Sequence, residues 1–146
     1  MTVYIASDHG GVEHKELIKA FLAEKGIAVE DLGVSTTDSV DYPDYAEKVC
    51  RKIQESPEDR GILVCGTGIG MSIAANKFQG IRAALVGDCF SAKATREHND
   101  TNVLCLGQRV IGGGLALMIV DIWLNTAFLD QRHQQRLDKI SEIEQH

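Results

Sequence analysis

The alternation of five short apolar runs with segments of helical spacing constrains this chain more than any other feature. The runs are VYIAS (3–7), AVEDL (28–32), GILVC (61–65), RAALV (82–86) and NVLCL (102–106). All but AVEDL are almost continuously apolar, the pattern of parallel strands covered on both faces. After the first run, GVEHKELIKAFLAEKG carries Leu17, Ile18, Phe21 and Leu22 as one stripe, with Gly26 as its stop signal. Further helical patterns cover about 43–56, 69–77, 90–97 and 112–126, with a last one near 130–144, and Pro43 suits a first helical turn. Strands alternating with helices in this way specify an α/β domain built on a parallel sheet. The expected fold is a single-domain, doubly wound (Rossmann-like) sheet of five parallel strands over residues 1–146, with an extra C-terminal helix. Its expected strand order is 2-1-3-4-5, a common choice for such sheets.

Composition narrows the function classes. A net charge of -6 argues against a general nucleic-acid binder, which needs a basic face. The longest apolar stretch, VIGGGLALMIVDIWLNTAFL, contains Asp121 and Asn125 and opens on glycines, so a buried helix is expected and no membrane contact. MTVYIASDHGG has neither a basic n-region nor a long apolar h-region, so no secretory signal is expected. Cys50, Cys65, Cys89 and Cys105 form no CxxC pair and no metal-type spacing with histidine. They read as reduced thiols of a cytoplasmic protein without a bound metal.

In a 2-1-3-4-5 sheet the switch point falls between the carboxyl ends of strands 1 and 3, where ligands bind. The first strand ends in SDHGG and the third in CGTGIG, so Asp8 and His9 should face Cys65 and a glycine loop across one crevice. The loop alone is a weak signal. It matches the opening GxG of a dinucleotide fingerprint but has Met71 at the third glycine, and it lacks a GK[ST] ending. Tight-turn geometry alone explains many such loops. The alternative is that Gly66, Gly68 and Gly70 let backbone N–H groups converge on a phosphate or an oxyanion. Cys50, Cys89 and Cys105 read as inert packing groups, whereas Cys65 adjoins a turn rich in N–H donors that favours thiolate. His14, on the first helix, reads as a solvated surface residue.

Taken together, SDHGG, DYPDYA, CGTGIGMSIAANK, GIRAA, REHNDTNVL and RHQQR closely resemble the B-type ribose-5-phosphate isomerases. That family also holds allose-6-phosphate isomerases and the subunits of galactose-6-phosphate isomerase. The resemblance covers nearly the whole chain, with the motifs in the family's order. It implies an aldose–ketose isomerase of a phosphorylated sugar that works through an enediolate, without metal or organic cofactor. By the family's pattern Cys65 is the carbon base, Thr67 bonds the reacting oxygens, and the N–H groups from Gly66 through Ile69 to Gly70 hold the enediolate charge. One branch of the family has a glutamate base at the position of Met71, which cannot titrate, so this chain goes with the cysteine type.

The same pattern makes His98 the ring-opening group and Asn99 a substrate contact. His98 follows the fourth helix and precedes the fifth strand, so it should lie at the far end of its own sheet. A homodimer with shared active sites is therefore expected, or a tetramer built from it; a histidine capping its helix is the bland alternative. Arg132 and Arg136 lie four apart, on one helical face, where a solvated surface stripe is the default reading; the resemblance favours instead a pair that binds the phosphate. The resemblance adds Arg109 and His9 to that site, assigns Asp8 to the sugar hydroxyls or ring oxygen, and leaves His133 unassigned. Tyr42 is expected at the mouth of the crevice. On the last helix Leu137, Ile140 and Ile143 form a face that either a neighbour or the chain's own domain could cover. Two rival functions remain: an isomerase of allose 6-phosphate or galactose 6-phosphate, and a non-catalytic binding domain, which would need neither Cys65 nor His98.

Overall fold

The computed structural model describes residues 1–146. Its elements run β1 (Thr2–Ser7), α1 (Val12–Glu24), β2 (Ala28–Asp31), α2 (Tyr42–Glu55), β3 (Arg60–Cys65), α3 (Ile69–Ala75), β4 (Ala83–Leu85), α4 (Cys89–Asn99), β5 (Val103–Gly107), α5 (Gly113–Asn125) and α6 (His133–Glu144). All strand pairs are parallel. The sheet divides the interior into two apolar layers. On one face, Val3, Ile5, Ile62, Val64, Leu104 and Leu106 pack against α1, α4 and α5, with Trp123 fully buried among them. On the other, Ala6, Leu63, Cys65, Val103 and Cys105 meet α2 and α3. Each aliphatic side chain closed off in this way contributes about 1.5–3 kcal/mol. No helix is long and apolar enough to cross a membrane.

The strand order is 2-1-3-5-4, not 2-1-3-4-5. The reason is burial. All five residues of β5 are buried, whereas none of the three in β4 is, and Leu85 is 44% exposed. An interior strand must cover both faces, so the long apolar strand takes the inside and the short one the edge. Strands 1 and 3 are neighbours as expected, and the order also brings the loop after β5 beside the end of β3.

Local signals hold at most boundaries. Pro43 sits in the first turn of α2, and Gly26, at φ +73°, follows α1 in a left-handed conformation. Within the α1 stripe, Ile18 and Leu22 are buried while Leu17 is 40% exposed. Of the apolar face of α6, Leu137 is buried against the chain's own domain, whereas Ile140 and Ile143 are more than half exposed. Lys15 is fully buried, and its ammonium donates to both carboxylate oxygens of Asp31 at 2.8 Å, tying α1 to the edge strand β2.

Candidate active site

Three loops meet at the carboxyl edge of the sheet. The first, Asp8–Gly11, leaves β1; a Cβ on Gly10 would lie 3.4 Å from the Gly66 nitrogen, so this loop touches the one that leaves β3. The Asp8 side chain is nearly buried and accepts the Gly10 N–H at 2.8 Å. His9 Nδ1 accepts the Val40 N–H at 3.2 Å, which leaves the ring hydrogen on Nε2 as a donor.

The second loop, 66–68, begins at Cys65, which ends β3 only 5% exposed. Its sulfur accepts the Gly68 N–H at 3.1 Å, and Thr67 Oγ1 accepts the Ile69 N–H at 3.2 Å. Two of the expected anion donors thus serve the loop's own side chains. Gly68 adopts φ +80° against the backbone of Leu106, and Gly70 lies under the Tyr42 ring, which a Cβ there would meet at 2.6 Å. Met71 is fully buried in the layer beneath. Burial pushes the Cys50 thiol up to about 12 and raises Cys105 as well, so both stay protonated packing groups.

The third loop, 108–112, follows β5. The N–H groups of Gln108 and Arg109 donate to the carbonyls of Cys65 and Gly66, both at 2.9 Å. The Arg109 side chain reaches across Gly66, where an added Cβ would lie 3.6 Å from its Cδ. An apolar cleft of about 320 Å³ opens beside Thr67, lined also by Ile69, Leu85 and Val110.

The remaining expected residues are elsewhere. His98 and Asn99 close α4, which runs back to the amino edge of the sheet. There Arg82, just before β4, donates from Nε to the Asn99 and Asp100 carbonyls at 3.2 and 2.9 Å. The rings of His98 and His133 stack with centroids 4.5 Å apart, which brings Arg132 and Arg136 to the same end. Burial, helped by the positive charge of His98, Arg132 and Arg136, holds the His133 ring below its usual range and favours the neutral form. At about 3.3 Å per residue, β3 alone separates the two clusters by about 17 Å. Within one chain, then, Asp8, His9, Tyr42, Cys65, Thr67 and Arg109 come together, and His98, Asn99, Arg132 and Arg136 form a second group. No group of three His, Cys, Asp or Glu side chains could hold a metal ion.

His14 differs from its reading as a solvated residue: it is half-buried, and both its backbone and its ring bond to the 108–111 segment. Neither this contact nor Gln108 has a sequence signature, because each is a single polar pairing across almost a hundred residues of chain.

Comparison with known proteins gives a consistent picture. The family described as Ribose/Galactose Isomerase matches residues 3–140. A putative sugar phosphate isomerase of Bacillus subtilis is 58% identical, covering 99% of this chain and 98% of its own length. Ribose-5-phosphate isomerase B of Escherichia coli is 50% identical, covering 94% of this chain and 93% of its own. A crystal structure of ribose-5-phosphate isomerase B from Mycoplasma genitalium with bound ribulose-5-phosphate superposes with a TM-score of 0.96 at 41% identity, covering 99% and 97% of the two chains.

Proposed function

The chain belongs to the ribose/galactose isomerase family, and on that premise we propose that it interconverts ribose 5-phosphate and ribulose 5-phosphate. The observation that carries the mechanism is the Gly68 N–H aimed at the Cys65 sulfur, at the edge where three loops converge. A donor held there stabilises a thiolate through a charge-assisted bond. The thiolate takes the proton from C2 of the open-chain aldose, leaving an enediolate with its charge on O1. The thiol then returns a proton to C1, and the O2 hydroxyl proton passes to O1 with help from Thr67. The aldehyde becomes an alcohol and the neighbouring alcohol a ketone, with no net gain or loss of hydrogen. The N–H groups of the 66–70 loop not already engaged stabilise the charge on the reacting oxygens, and the Asp8 carboxylate accepts from the sugar hydroxyls.

In this reading a second copy of the chain completes each site. The edge-to-edge separation of the two clusters supports it, as do the exposed Ile69, Leu85 and Val110 around the cleft beside Thr67. The partner supplies His98 to move the anomeric proton onto the ring oxygen, Asn99 to hold the sugar, and Arg132 and Arg136 to join Arg109 and His9 at the phosphate. The protein's place is the cytoplasm, a reading supported by four free cysteines.

The test is ribose 5-phosphate turnover by wild type and Cys65→Ala in buffer with a metal chelator. Wild type should turn over undiminished, while loss of the base should cost the variant at least about a hundredfold. Equal turnover by the variant would remove Cys65 from the mechanism. An inactive wild type that isomerises six-carbon phosphates would move the substrate, not the chemistry.

A further inference from the structure

The N-terminus of α1 lacks a side-chain cap. Its N-cap is Gly11, which makes no capping bond, and no larger residue fits there, because a Cβ would lie 2.5 Å from the Val64 carbonyl oxygen. The first N–H groups of a helix have no intrahelical acceptor and must find one elsewhere. For His14, the acceptor comes from another loop: Gln108 Oε1 takes its N–H at 2.9 Å. The His14 ring then returns a bond to the same loop, with Nε2 2.8 Å from the Ile111 carbonyl oxygen. A carbonyl only accepts, so Nε2 is the donor.

Arg109 lies between these two anchor points. Its loop is fixed on one side by the Gln108 and Arg109 N–H groups on the carbonyls of Cys65 and Gly66. On the other side it is fixed by His14, one turn beyond the loop that carries Asp8 and His9. The bonds made by His14 therefore span the two segments that hold Arg109 and His9.

We infer that His14 is a positioning residue for phosphate recognition, latching the Arg109 loop to the turn that presents Asp8 and His9. The inference rests on the proposed phosphate role of Arg109. Arg109 is itself exposed, so its direction is set by where its backbone is held. With the ring bond gone, the loop keeps its bonds to Cys65 and Gly66 and the Gln108 contact with the His14 backbone N–H, but loses its anchor at Ile111, beyond Arg109. The carbon base stays in place while the phosphate end loosens.

The experiment measures kcat and KM for ribose 5-phosphate, and competitive inhibition by inorganic phosphate, in His14→Ala, His14→Gln and Arg109→Ala. His14→Ala should raise KM and the phosphate inhibition constant together by about three- to tenfold, the worth of one ordinary hydrogen bond, with kcat nearly unchanged. His14→Gln keeps an N–H donor and should recover most of the loss. A variant that merely folds less well would lose kcat at constant KM, and that outcome overturns the latch. If Arg109→Ala weakens both constants while His14→Ala leaves them alone, the latch is wrong and the phosphate reading stands. If Arg109→Ala changes neither, the phosphate reading fails and takes the latch with it.

Discussion

Gly26 and Gly68 have nearly the same backbone conformation, φ +73° and +80°, but different surroundings, so alanine at each separates conformational strain from steric conflict. Around Gly26, no heavy atom lies within 4 Å of where a Cβ would go. At Gly68 that Cβ would lie 2.5 Å from Leu85 Cδ1 and 2.9 Å from the Leu106 carbonyl carbon. The leucine tip can rotate away; the backbone of a fully buried strand cannot. Left-handed backbone costs an alanine about 1–2 kcal/mol at either site. Overpacking adds about 1–3 kcal/mol at Gly68 alone, for a sum of about 2–5 kcal/mol. With a urea m-value of roughly 2 kcal/mol/M, the midpoint should fall by about 0.5–1 M for Gly26→Ala and about 1–2.5 M for Gly68→Ala. Protein concentration must be held fixed, since association of the proposed kind would make the midpoint depend on it. Relief of the clash also draws the Gly68 N–H away from the Cys65 sulfur. Turnover per folded molecule should then drop about ten- to a hundredfold, the worth of one hydrogen bond to a charged group, and stay at the wild-type level in Gly26→Ala. Equal midpoint shifts, or full turnover by Gly68→Ala, would refute the reasoning.

If two chains build each site, Cys65→Ala and His98→Ala, each inactive from ribose 5-phosphate alone, should complement when unfolded and refolded together. At random pairing half the dimers are mixed and each has one intact site, so activity should return to roughly a quarter of wild type; no recovery would place both residues in the same subunit's site. Burial pushes the Asp31 carboxyl up, but hydrogen bonds from Lys15, Lys19 and the Gly33 N–H together outweigh it and hold the group below the usual carboxylate range. A depressed carboxyl stabilises the fold above its unfolded value, near 4, and loses that contribution as pH falls through the folded value. Asp31→Asn should therefore be less stable at pH 7 by about 2–3 kcal/mol, short of the cost of breaking a fully dry pair because the Asp31 side chain is 24% exposed. The gap in urea midpoint should close as pH falls below about 4; a gap that persists there would assign the loss to packing, not charge.

The architecture is written in the sequence because it depends on one-dimensional patterns. Continuous apolar runs give parallel strands, helical stripes give the covering layers, and Pro43 and Gly26 mark boundaries whatever the chain does elsewhere. Strand order is different, because it depends on a comparison between two runs that look alike locally. RAALV and NVLCL are both apolar on paper. The difference lies in how much of each becomes ladder: three residues of one, ending in a half-exposed Leu85, against five buried residues of the other. Arg82 offers a clue, since its guanidinium bonds the end of α4 and so belongs at an edge open to polar contacts.

The order has a consequence for chemistry that the expected order would have missed. With β4 beside β3, the short turn at 86–88 would flank Cys65. With β5 there, the flanking segment is 108–112, whose backbone N–H groups grip the carbonyls of Cys65 and Gly66 and carry Arg109 across the glycine loop. Arg109 could be tied to the phosphate only through resemblance, because its neighbourhood depends on that swap. His98 shows the converse. Its distance from Cys65 follows from strand direction alone: a helix after a parallel strand returns to the amino edge, and a residue in its last turn goes with it. Thus the separation of the two clusters was legible, and with it the ground for proposing that a second chain completes each site. The contacts that steady each cluster were not. Gln108 capping the helix of His14, and the stacking of His133 on His98, are pairings between single side chains that leave no period or spacing in the sequence.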